Sequence, residues 1–303
     1  MSADSKVWFS SSQGLGRALL DVVLERGERA VATLRKPEVL DSLKTKYSPS
    51  QLLILPLDVS NKSQIDSVFE ETKKHFGRLD VVVNNAGYGL AGEIETTPED
   101  EARKLIEVLF WGPVWICQRA IPFFRDVNPP GVGGHFLNIS SIGGILANPG
   151  YAFYHAGKFA LEGFTESLTK EMLPEWNIRA TIIELGGFRT EWGGSSMITI
   201  PSLPVYQQAH APSEAMRRIV VPENFVGDPL KCGQALYKLG GRKDLPIRIQ
   251  LGTDALLMAR LKTQKTIDDT LKPEMEEIAH STTADGVDKA QVIANLETAW
   301  RGL

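Results

Sequence analysis

GHFLNISSIGGILANPGYAFYHAGKFALEGFTESLT, residues 134–169, is the stretch that decides the fold. The apolar run 135–139 predicts a β-strand, and Ser141 stands just after it. Tyr154 and Lys158 lie four positions apart in a segment rich in helix formers, so their side chains leave one helical face a turn apart. The stretch therefore predicts a strand, a glycine-containing loop and a helix.

These three polar side chains predict proton chemistry on an oxygen atom. An ammonium near a phenol favours the phenolate, and lowering the tyrosine pKa from about 10 by about two units needs roughly 2.7 kcal/mol. Tyr154 is therefore a candidate proton donor or acceptor, with Lys158 as the group that lowers its pKa. Ser141 is a candidate hydrogen-bond donor to the same substrate oxygen, so the three groups together polarise a carbonyl. The alternative is a half-buried tyrosine beside a surface lysine.

The chain before this stretch alternates strand and helix patterns. Apolar or β-favouring runs occur at 6–9, 30–34, 51–57 and 79–83, and helical patterns separate them. Such repeats predict βαβ units, and hence an α/β fold built on a doubly wound parallel sheet, a Rossmann fold. Ligands of such sheets bind at the carboxyl ends of the strands.

A glycine turn follows the first predicted strand. Residues 10–13 lead into Gly14-Leu15-Gly16 and a helical pattern, an order that places backbone N–H groups where a pyrophosphate binds in dinucleotide sites. Arg35 ends the next apolar run, and a base there suits a 2′-phosphate better than a ribose hydroxyl, which favours NADP over NAD. The alternatives are a tight turn with polar caps and a solvated charge at a strand end.

The composition argues against several classes of function. The 303 residues have a net charge of −4, and the longest basic runs are dipeptides such as Lys73-Lys74, so we expect no nucleic-acid partner. No run approaches about 18 consecutive apolar residues, and the N-terminus lacks a signal-peptide pattern, so we expect a cytoplasmic protein without a membrane span. Because Cys117, Cys232 and the histidines show no ligand spacing, we expect buried free thiols and no metal site.

The composition changes in the last part of the chain. Residues 188–226 mix Gly, Ser and Pro with apolar residues such as Trp192 and Met197, which predicts a lid over a bulky, largely apolar small-molecule substrate. A disordered loop is the alternative. We expect one Rossmann-fold domain over residues 1–251, followed by a helical C-terminal extension over residues 252–303.

Short motifs resemble those of the short-chain dehydrogenase/reductase family. They are NNAG at residues 84–87, NISS at residues 138–141 and Tyr154-x-x-x-Lys158, and residues 227–255 resemble the longer-tailed fungal-type members. The resemblance implies a Rossmann fold that binds NADP(H). It also implies a reductase of ketones or aldehydes, or the reverse oxidation.

The resemblance further implies roles for individual residues. Tyr154 would be the general acid/base, Lys158 would lower its pKa and hold the nicotinamide ribose, and Ser141 would orient the carbonyl. Family members commonly pair through the Tyr-bearing helix and the preceding one, which implies a homodimer or homotetramer. The implied cofactor-binding residues are Ser10, Ser12, Gln13, Gly14, Leu15, Gly16, Arg35, Asp58, Val59, Asn85, Ala86, Gly87, Tyr154, Lys158, Gly186, Phe188 and Thr190.

Four departures from the family pattern cluster around the cofactor and the proton relay. Ser10 replaces the first Gly of the turn, Leu109 replaces an Asn that holds a water beside the Lys, and Gly157 and Leu185 replace a Ser and a Pro. We expect Ser10 to weaken cofactor binding and Leu109 to interrupt the relay. Three hypotheses follow: an NADPH-dependent reductase; a non-redox isomerase, epimerase, dehydratase or cyclase using the same acid–base groups with the cofactor weakly bound or lost; and a non-catalytic binding protein.

Overall fold

The computed structural model describes residues 5–11 and 13–301. Within this part of the chain, seven strands form one sheet and two short strands pair separately. In chain order the strands are β1 (Val7–Ser11), β2 (Arg29–Leu34), β3 (Leu52–Pro56), β4 (Val81–Asn84), β5 (Gly89–Ala91), β6 (Gly134–Ile139), β7 (Ile178–Leu185), β8 (Met197–Thr199) and β9 (Arg248–Leu251).

The large sheet confirms the predicted doubly wound fold. Its order is β3-β2-β1-β4-β6-β7-β9, and every neighbouring pair is parallel. From β1 the chain winds outward through β2 to β3, and it then winds in the opposite direction from β4 to β9. This reversal creates a crevice at the carboxyl ends of β1 and β4, where ligands of such sheets bind.

Helices cover both faces of the sheet. The α-helices of the described residues, whether or not they cover the sheet, are in chain order α1 (Gly14–Glu25), α2 (Asp41–Lys46), α3 (Lys62–Phe76), α4 (Glu99–Ile106), α5 (Gly112–Pro122), α6 (Ala152–Glu171), α7 (Pro212–Ile219), α8 (Pro229–Gly241), α9 (Thr253–Thr270), α10 (Pro273–Ser281) and α11 (Lys289–Arg301). Helix α1 packs against α8, and α3 packs against α5. Cys117 on α5 and Cys232 on α8 are buried free thiols, as predicted.

Strand β1 shows why the sheet is apolar on both faces. Val7 and Phe9 belong to one buried cluster, which also contains Phe69 of α3, whereas Trp8 belongs to another, which contains Leu236 of α8. Successive side chains of a strand point to opposite faces, so a strand covered by helices on both sides needs a nearly continuous apolar run. The predicted strands have such runs.

The lid segment, residues 188–226, contains short regular elements. Its β8 pairs in parallel with β5, with Gly89 opposite Met197 and Ala91 opposite Thr199. Helix α7 follows in the same segment. The β5–β8 pair lies outside the large sheet and connects the lid to the chain that follows β4.

The chain divides into two compact units, residues 1–256 and 257–303, and the division falls inside α9. The second unit contains the rest of α9 together with α10 and α11. The domain boundary after residue 251 stays a prediction. None of the helices in the described ranges is both long enough and apolar enough to traverse a lipid bilayer.

Candidate active site

One large cavity runs along the carboxyl ends of the strands. Its volume is about 1110 Å³, and the residues that line it lie between Ser11 and Ile198. We call this cavity the groove. The loops after β1, β3, β4, β6 and β7 contribute to it, as expected for a parallel sheet. The predicted site residues that line it are Gln13, Gly14, Leu15, Arg35, Asp58, Val59, Asn85, Ala86, Gly87, Ser141, Tyr154, Lys158, Gly186, Phe188 and Thr190.

Two predicted cofactor residues do not line the groove. Ser10 lies within β1 opposite Ala32, is 1% exposed, and donates a hydrogen bond to the carbonyl oxygen of Ser11. Gly16 lies behind Ser11, since a Cβ on Gly16 would stand 2.2 Å from Ser11 Oγ. Ser12, also predicted, lies outside the described residues. Ser10 therefore does not line the groove, and the weakening of cofactor binding expected from it stays a prediction.

The structure brings the three predicted catalytic residues together. Helix α6 presents Tyr154 and Lys158, which are 7% and 6% exposed. Lys158 Nζ lies 5.9 Å from the centre of the Tyr154 ring and donates a 2.8 Å hydrogen bond to the carbonyl oxygen of Ile139. Ser141 follows β6 and forms a hydrogen bond with Tyr154. A phenol, an amine and a hydroxyl thus share one side of the groove.

The ionisation of this trio differs from the prediction. Burial raises the pKa of Tyr154 to about 12, and the hydrogen bond with Ser141 opposes that shift. Burial also lowers the pKa of Lys158 to about 8, and the carboxylate of Glu162 opposes that shift. In this structure burial outweighs the predicted lowering of the Tyr154 pKa, because desolvation disfavours both charged forms, and the role of Lys158 in the reaction stays a prediction. Tyr154 therefore keeps its proton at neutral pH, as a general acid must.

The loop between β6 and α6 fixes Ser141. Gly143 N donates to Ser141 Oγ at 3.0 Å, and the Ser141 hydroxyl donates to the carbonyl oxygen of Leu185 at 3.4 Å. On the other side of the loop, Asn148 N donates to Nε2 of His155 at 2.9 Å, so Nδ1 carries the proton and donates to Gly143 O at 2.9 Å. Burial lowers the pKa of His155, which fits a neutral ring. Leu185 thus contributes to the site through its backbone.

Asparagines connect the elements that carry the site. Asn84 Nδ2 donates to Asn138 Oδ1 at 2.8 Å, and Asn138 Nδ2 donates to Thr165 Oγ1 at 2.8 Å, which joins β4, β6 and α6. Asn85 Nδ2 donates to Ser11 Oγ at 2.8 Å, which joins the end of β4 to the end of β1. Asn84 and Asn138 are buried, and these hydrogen bonds compensate for placing polar side chains in otherwise apolar strands.

Leu109 fills the space beside Lys158 with an apolar side chain. It lies in a π-helical turn, Glu107–Trp111, between α4 and α5, and is 1% exposed. A Cβ on Gly157 would stand 3.0 Å from Leu109 Cβ, and one on Gly87 would stand 2.9 Å from Leu109 Cδ2. Leu109 and Gly157, two of the four departures, are therefore one complementary pair. The pair offers Lys158 no hydrogen-bonding side chain.

One end of the groove fits a dinucleotide. Gln13, the N-cap residue of α1, makes no side-chain cap hydrogen bond, and the dipole of the helix favours an anion at this end. Gly14, which begins α1, has a φ of +54°, in the left-handed region that favours glycine. Arg35 at the end of β2 is exposed and lines the same groove. These features suit a pyrophosphate and a further phosphate group.

The other end of the groove receives aromatic and aliphatic side chains. The ring centres of Trp192 and Tyr154 are 5.2 Å apart, with 58° between the ring planes. Tyr154 belongs to a buried cluster against which Tyr88, Trp192 and Met197 pack. Ile198 of β8 lines the groove. The proton-bearing phenol therefore faces an apolar neighbourhood.

Sequence reasoning missed several groove residues. Ser11 and Thr33 carry no motif, and Lys104 of α4 resembles an ordinary surface charge, held by Asp100 and Glu101 at 2.9 and 2.8 Å. Their placement depends on which side of each strand or helix faces the groove. The sequence does contain one indication for Ser11. Side chains of a strand alternate between its two faces, so Ser11 lies on the face opposite to that of Ser10.

Comparisons with known proteins agree with this geometry. A family model described as short chain dehydrogenase matches residues 9–198. An uncharacterized oxidoreductase of Schizosaccharomyces pombe is 35% identical over 286 residues, covering 93% of this chain and 92% of its own. A 3-ketodihydrosphingosine reductase of Bacteroides thetaiotaomicron is 31% identical over 244 residues, covering 80% of this chain and 85% of its own.

A solved structure shows the same architecture. The crystal structure of a short-chain dehydrogenase from Streptomyces avermitilis superposes with a TM-score of 0.84 at 32% identity, covering 93% of this chain and 100% of that one. The sequence motifs, the sheet order and these relatives agree. This chain belongs to the short-chain dehydrogenase family of oxidoreductases.

Proposed function

We propose that this protein is an NADPH-dependent reductase of a medium-sized, largely apolar carbonyl compound, or catalyses the reverse oxidation of the alcohol. The observation that carries the proposal is that one groove of about 1110 Å³ joins Arg35 at one end to Ser141, Tyr154 and Lys158 at the other. A dinucleotide that places its phosphates near Arg35 and its reactive ring near Tyr154 uses the whole length of such a groove.

The residues of this chain supply the proton and orient the substrate. Bound NADPH would supply the hydride that reduces the carbonyl carbon. When substrate binds, the Ser141 hydroxyl turns from the carbonyl oxygen of Leu185 and donates its hydrogen bond to the substrate carbonyl oxygen. Tyr154 transfers its phenolic proton to that oxygen as negative charge develops there. The ammonium of Lys158 favours this transfer because it stabilises the phenolate left behind. The carbonyl thereby gains one hydride and one proton and becomes an alcohol.

Two groups of residues and one similarity to a known protein support the choice of cofactor and substrate. The backbone at Gly14 suits the pyrophosphate that NADPH and NADH share, and the side chain of Arg35 suits the 2′-phosphate that only NADPH carries. The apolar contacts around Trp192 and Ile198 favour an apolar substrate. The similarity to a 3-ketodihydrosphingosine reductase supports a carbonyl compound with a long apolar part as the first substrate to test. The residues proposed to hold the cofactor are Gln13, Gly14, Leu15, Arg35, Asp58, Val59, Asn85, Ala86, Gly87, Tyr154, Lys158, Gly186, Phe188 and Thr190.

Titration with NADPH and with NADH, followed by nicotinamide fluorescence, tests the cofactor preference. We expect NADPH to bind at least about tenfold more tightly than NADH, and Arg35→Glu to abolish that difference. Lys36→Glu is the matched control, because Lys36 is the exposed neighbour and does not line the groove. Failure of the folded protein to bind either dinucleotide contradicts the proposal and leaves the non-redox and binding-protein hypotheses.

We also propose that the protein pairs through α6 and the preceding helical segment. Phe159 of α6 and Trp111 are 44% and 42% exposed, and the Trp111 ring stacks on that of Trp115. An exposed apolar surface of this kind is typical of an interface between subunits. Size-exclusion chromatography with light scattering should give a dimer or tetramer, and a monomer at working concentration contradicts this proposal.

A further inference from the structure

Glu93 is a buried carboxylate outside the groove. It lies just after β5, is 5% exposed, and does not line the cavity. Its backbone oxygen accepts hydrogen bonds from the hydroxyls of Thr96 and Thr97 at 3.2 and 2.8 Å, which fix the turn before α4. A buried charge is costly unless other groups compensate it, so the partners of this carboxylate show what it holds in place.

Two separate parts of the lid converge on Glu93. The hydroxyl of Ser202 donates to both carboxylate oxygens, at 2.9 and 3.1 Å. Arg217 of α7 directs Nη2 to the same two oxygens at 3.4 Å, and that nitrogen also reaches the carbonyl oxygen of Ile200 at 3.3 Å. The segment after β8 and helix α7 are therefore joined through one side chain that does not itself belong to the lid.

The surroundings of Glu93 keep it ionised. Burial would raise the pKa of Glu93, but the polar groups around it, among them the Ser202 hydroxyl and the charge of Arg217, outweigh burial and lower the pKa below its ordinary value. Arg217 is 16% exposed, so water screens this pair only weakly. Neutralising one partner leaves the other as an uncompensated charge in the same place.

The same region joins the lid to the helix that carries the catalytic tyrosine. Ile200 N donates to the carbonyl oxygen of Ala91 at 2.8 Å, which extends the β5–β8 pair, and Gly92 N donates to the carbonyl oxygen of Gly150 at 2.8 Å. Gly150 lies directly before Tyr151, at the start of α6. Glu93 therefore lies where β5, the lid and the beginning of α6 meet.

We infer that Glu93 is a positioning residue that fixes the lid, residues 188–226, over the substrate end of the groove through its contacts with Arg217 and Ser202. It acts through Ile200 and the β5–β8 pair on the lid residues that face Tyr154, and it does not touch the cofactor end. Its effect on catalysis rests on the proposed function, whereas its effect on the lid does not.

Hydrogen exchange of the full-length protein tests the structural part. Glu93→Gln keeps the shape of the side chain and removes its charge, and Arg217→Met removes the charge of the partner. In both variants we expect the backbone amides of residues 197–221 to exchange at least about tenfold faster, with the strands of the large sheet unchanged. The matched control is Arg218→Met, since Arg218 is the neighbouring arginine of α7 and pairs with Glu214 instead. Unchanged exchange in the lid of both variants overturns the inference.

A milder variant keeps the test decisive if a charge variant fails to fold. Ser202→Ala removes a donor to Glu93 from a half-buried position, and it should still raise lid exchange by about threefold or more. The double variant Glu93→Gln/Arg217→Met should exchange no faster than the worse single variant, because both changes break one contact. Additive effects, or no effect of Ser202→Ala, contradict the inference.

Steady-state kinetics test the catalytic part. With 3-ketodihydrosphingosine as the probe substrate, Glu93→Gln should raise KM at least about tenfold and leave kcat and the Kd for NADPH within about twofold of wild type. A fall in kcat or a loss of NADPH affinity, with KM unchanged, overturns the inference. If the wild type reduces no carbonyl compound, the proposed function fails, while the exchange experiment still decides the role of Glu93.

Discussion

At the residue scale, the site is defined by what surrounds each ionisable side chain. Tyr154 and Lys158 are adjacent on one face of α6, as their spacing predicts, yet both lie more than nine-tenths buried. The spacing indicates that the two groups are neighbours, but their pKa values depend on desolvation, which comes from residues far away in sequence. This is why the residue pair could be predicted and its ionisation could not.

The pKa of Lys158 predicts the pH dependence of carbonyl reduction. Tyr154, with a pKa of about 12, stays protonated through the neutral range, whereas Lys158, with a pKa of about 8, loses its charge as the pH rises through that value. We expect kcat/KM to be level below about pH 8 and to fall above it, because kcat/KM reports ionisations of the free enzyme. Lys104→Gln is the control and should leave the fall of kcat/KM at alkaline pH unchanged. The ion pairs of Lys104 with Glu101 and Asp100 raise its pKa, so Lys104 keeps its charge where Lys158 loses it. A level profile to about pH 10 contradicts this assignment.

Leu109 and Gly157 should behave as a coupled pair. A Cβ on Gly157 would stand 3.0 and 3.1 Å from Leu109 Cβ and Cδ1, so Gly157→Ala forces Leu109 to shift. With Leu109→Gly already present, which removes both of those Leu109 atoms, the same change should gain the helix propensity of alanine, about 1 kcal/mol. A double-mutant cycle on the free energy of unfolding should therefore give a coupling of about 1 kcal/mol or more. Additive effects of the two changes would show that the side chains do not share this space.

At the element scale, the asparagine network places α6 against the sheet. Asn138 is fully buried and bonds both Asn84 of β4 and Thr165 of α6. NNAG and NISS indicate a family, but the motifs themselves do not reveal that Asn84 and Asn138 meet across neighbouring strands. That contact depends on the register of β4 and β6, in which the two residues are paired.

Asn138→Ala should destabilise the protein by about 1 to 3 kcal/mol, because it leaves the Asn84 amide and the Thr165 hydroxyl without this partner in the interior. Urea denaturation measures the change in the free energy of unfolding. Asn224→Ala is the control, since Asn224 is exposed and its amide donates to backbone carbonyl oxygens of the lid, so a change within about 0.5 kcal/mol is expected. Equal effects of the two variants would contradict the structural role of the network.

Some elements could be predicted from the sequence and others could not. The alternation of apolar runs and helices predicts a parallel sheet, because each long run must be covered on both faces. The β5–β8 pair could not be predicted, since each strand has three residues and the pairing joins Gly89 to Met197 across a long separation in sequence. The convergence of Ser202 and Arg217 on Glu93 depends on that pairing. Ser10 was assigned to the groove by motif position, whereas the pleat of β1 turns it into the interior.

At the scale of the whole molecule, the groove joins two functions along one edge of the sheet. Elements at the β1 end offer backbone N–H groups and Arg35 to an anion, while the lid and α6 surround a proton donor with apolar side chains. Two departures from the family pattern fit into this arrangement: Ser10 is buried and does not line the groove, and Gly157 makes room for Leu109. The central claim is therefore a redox reaction at Tyr154.

Transfer of deuterium tests that claim most directly. The protein is incubated with NADPH that carries deuterium on the transferable position of the nicotinamide ring and with apolar ketones of the proposed substrate class, and the product is analysed by mass spectrometry. We predict an alcohol with deuterium on the former carbonyl carbon, formed by the wild type and reduced at least about a hundredfold in Tyr154→Phe. A product of unchanged oxidation state, or an unlabelled alcohol, would contradict the account.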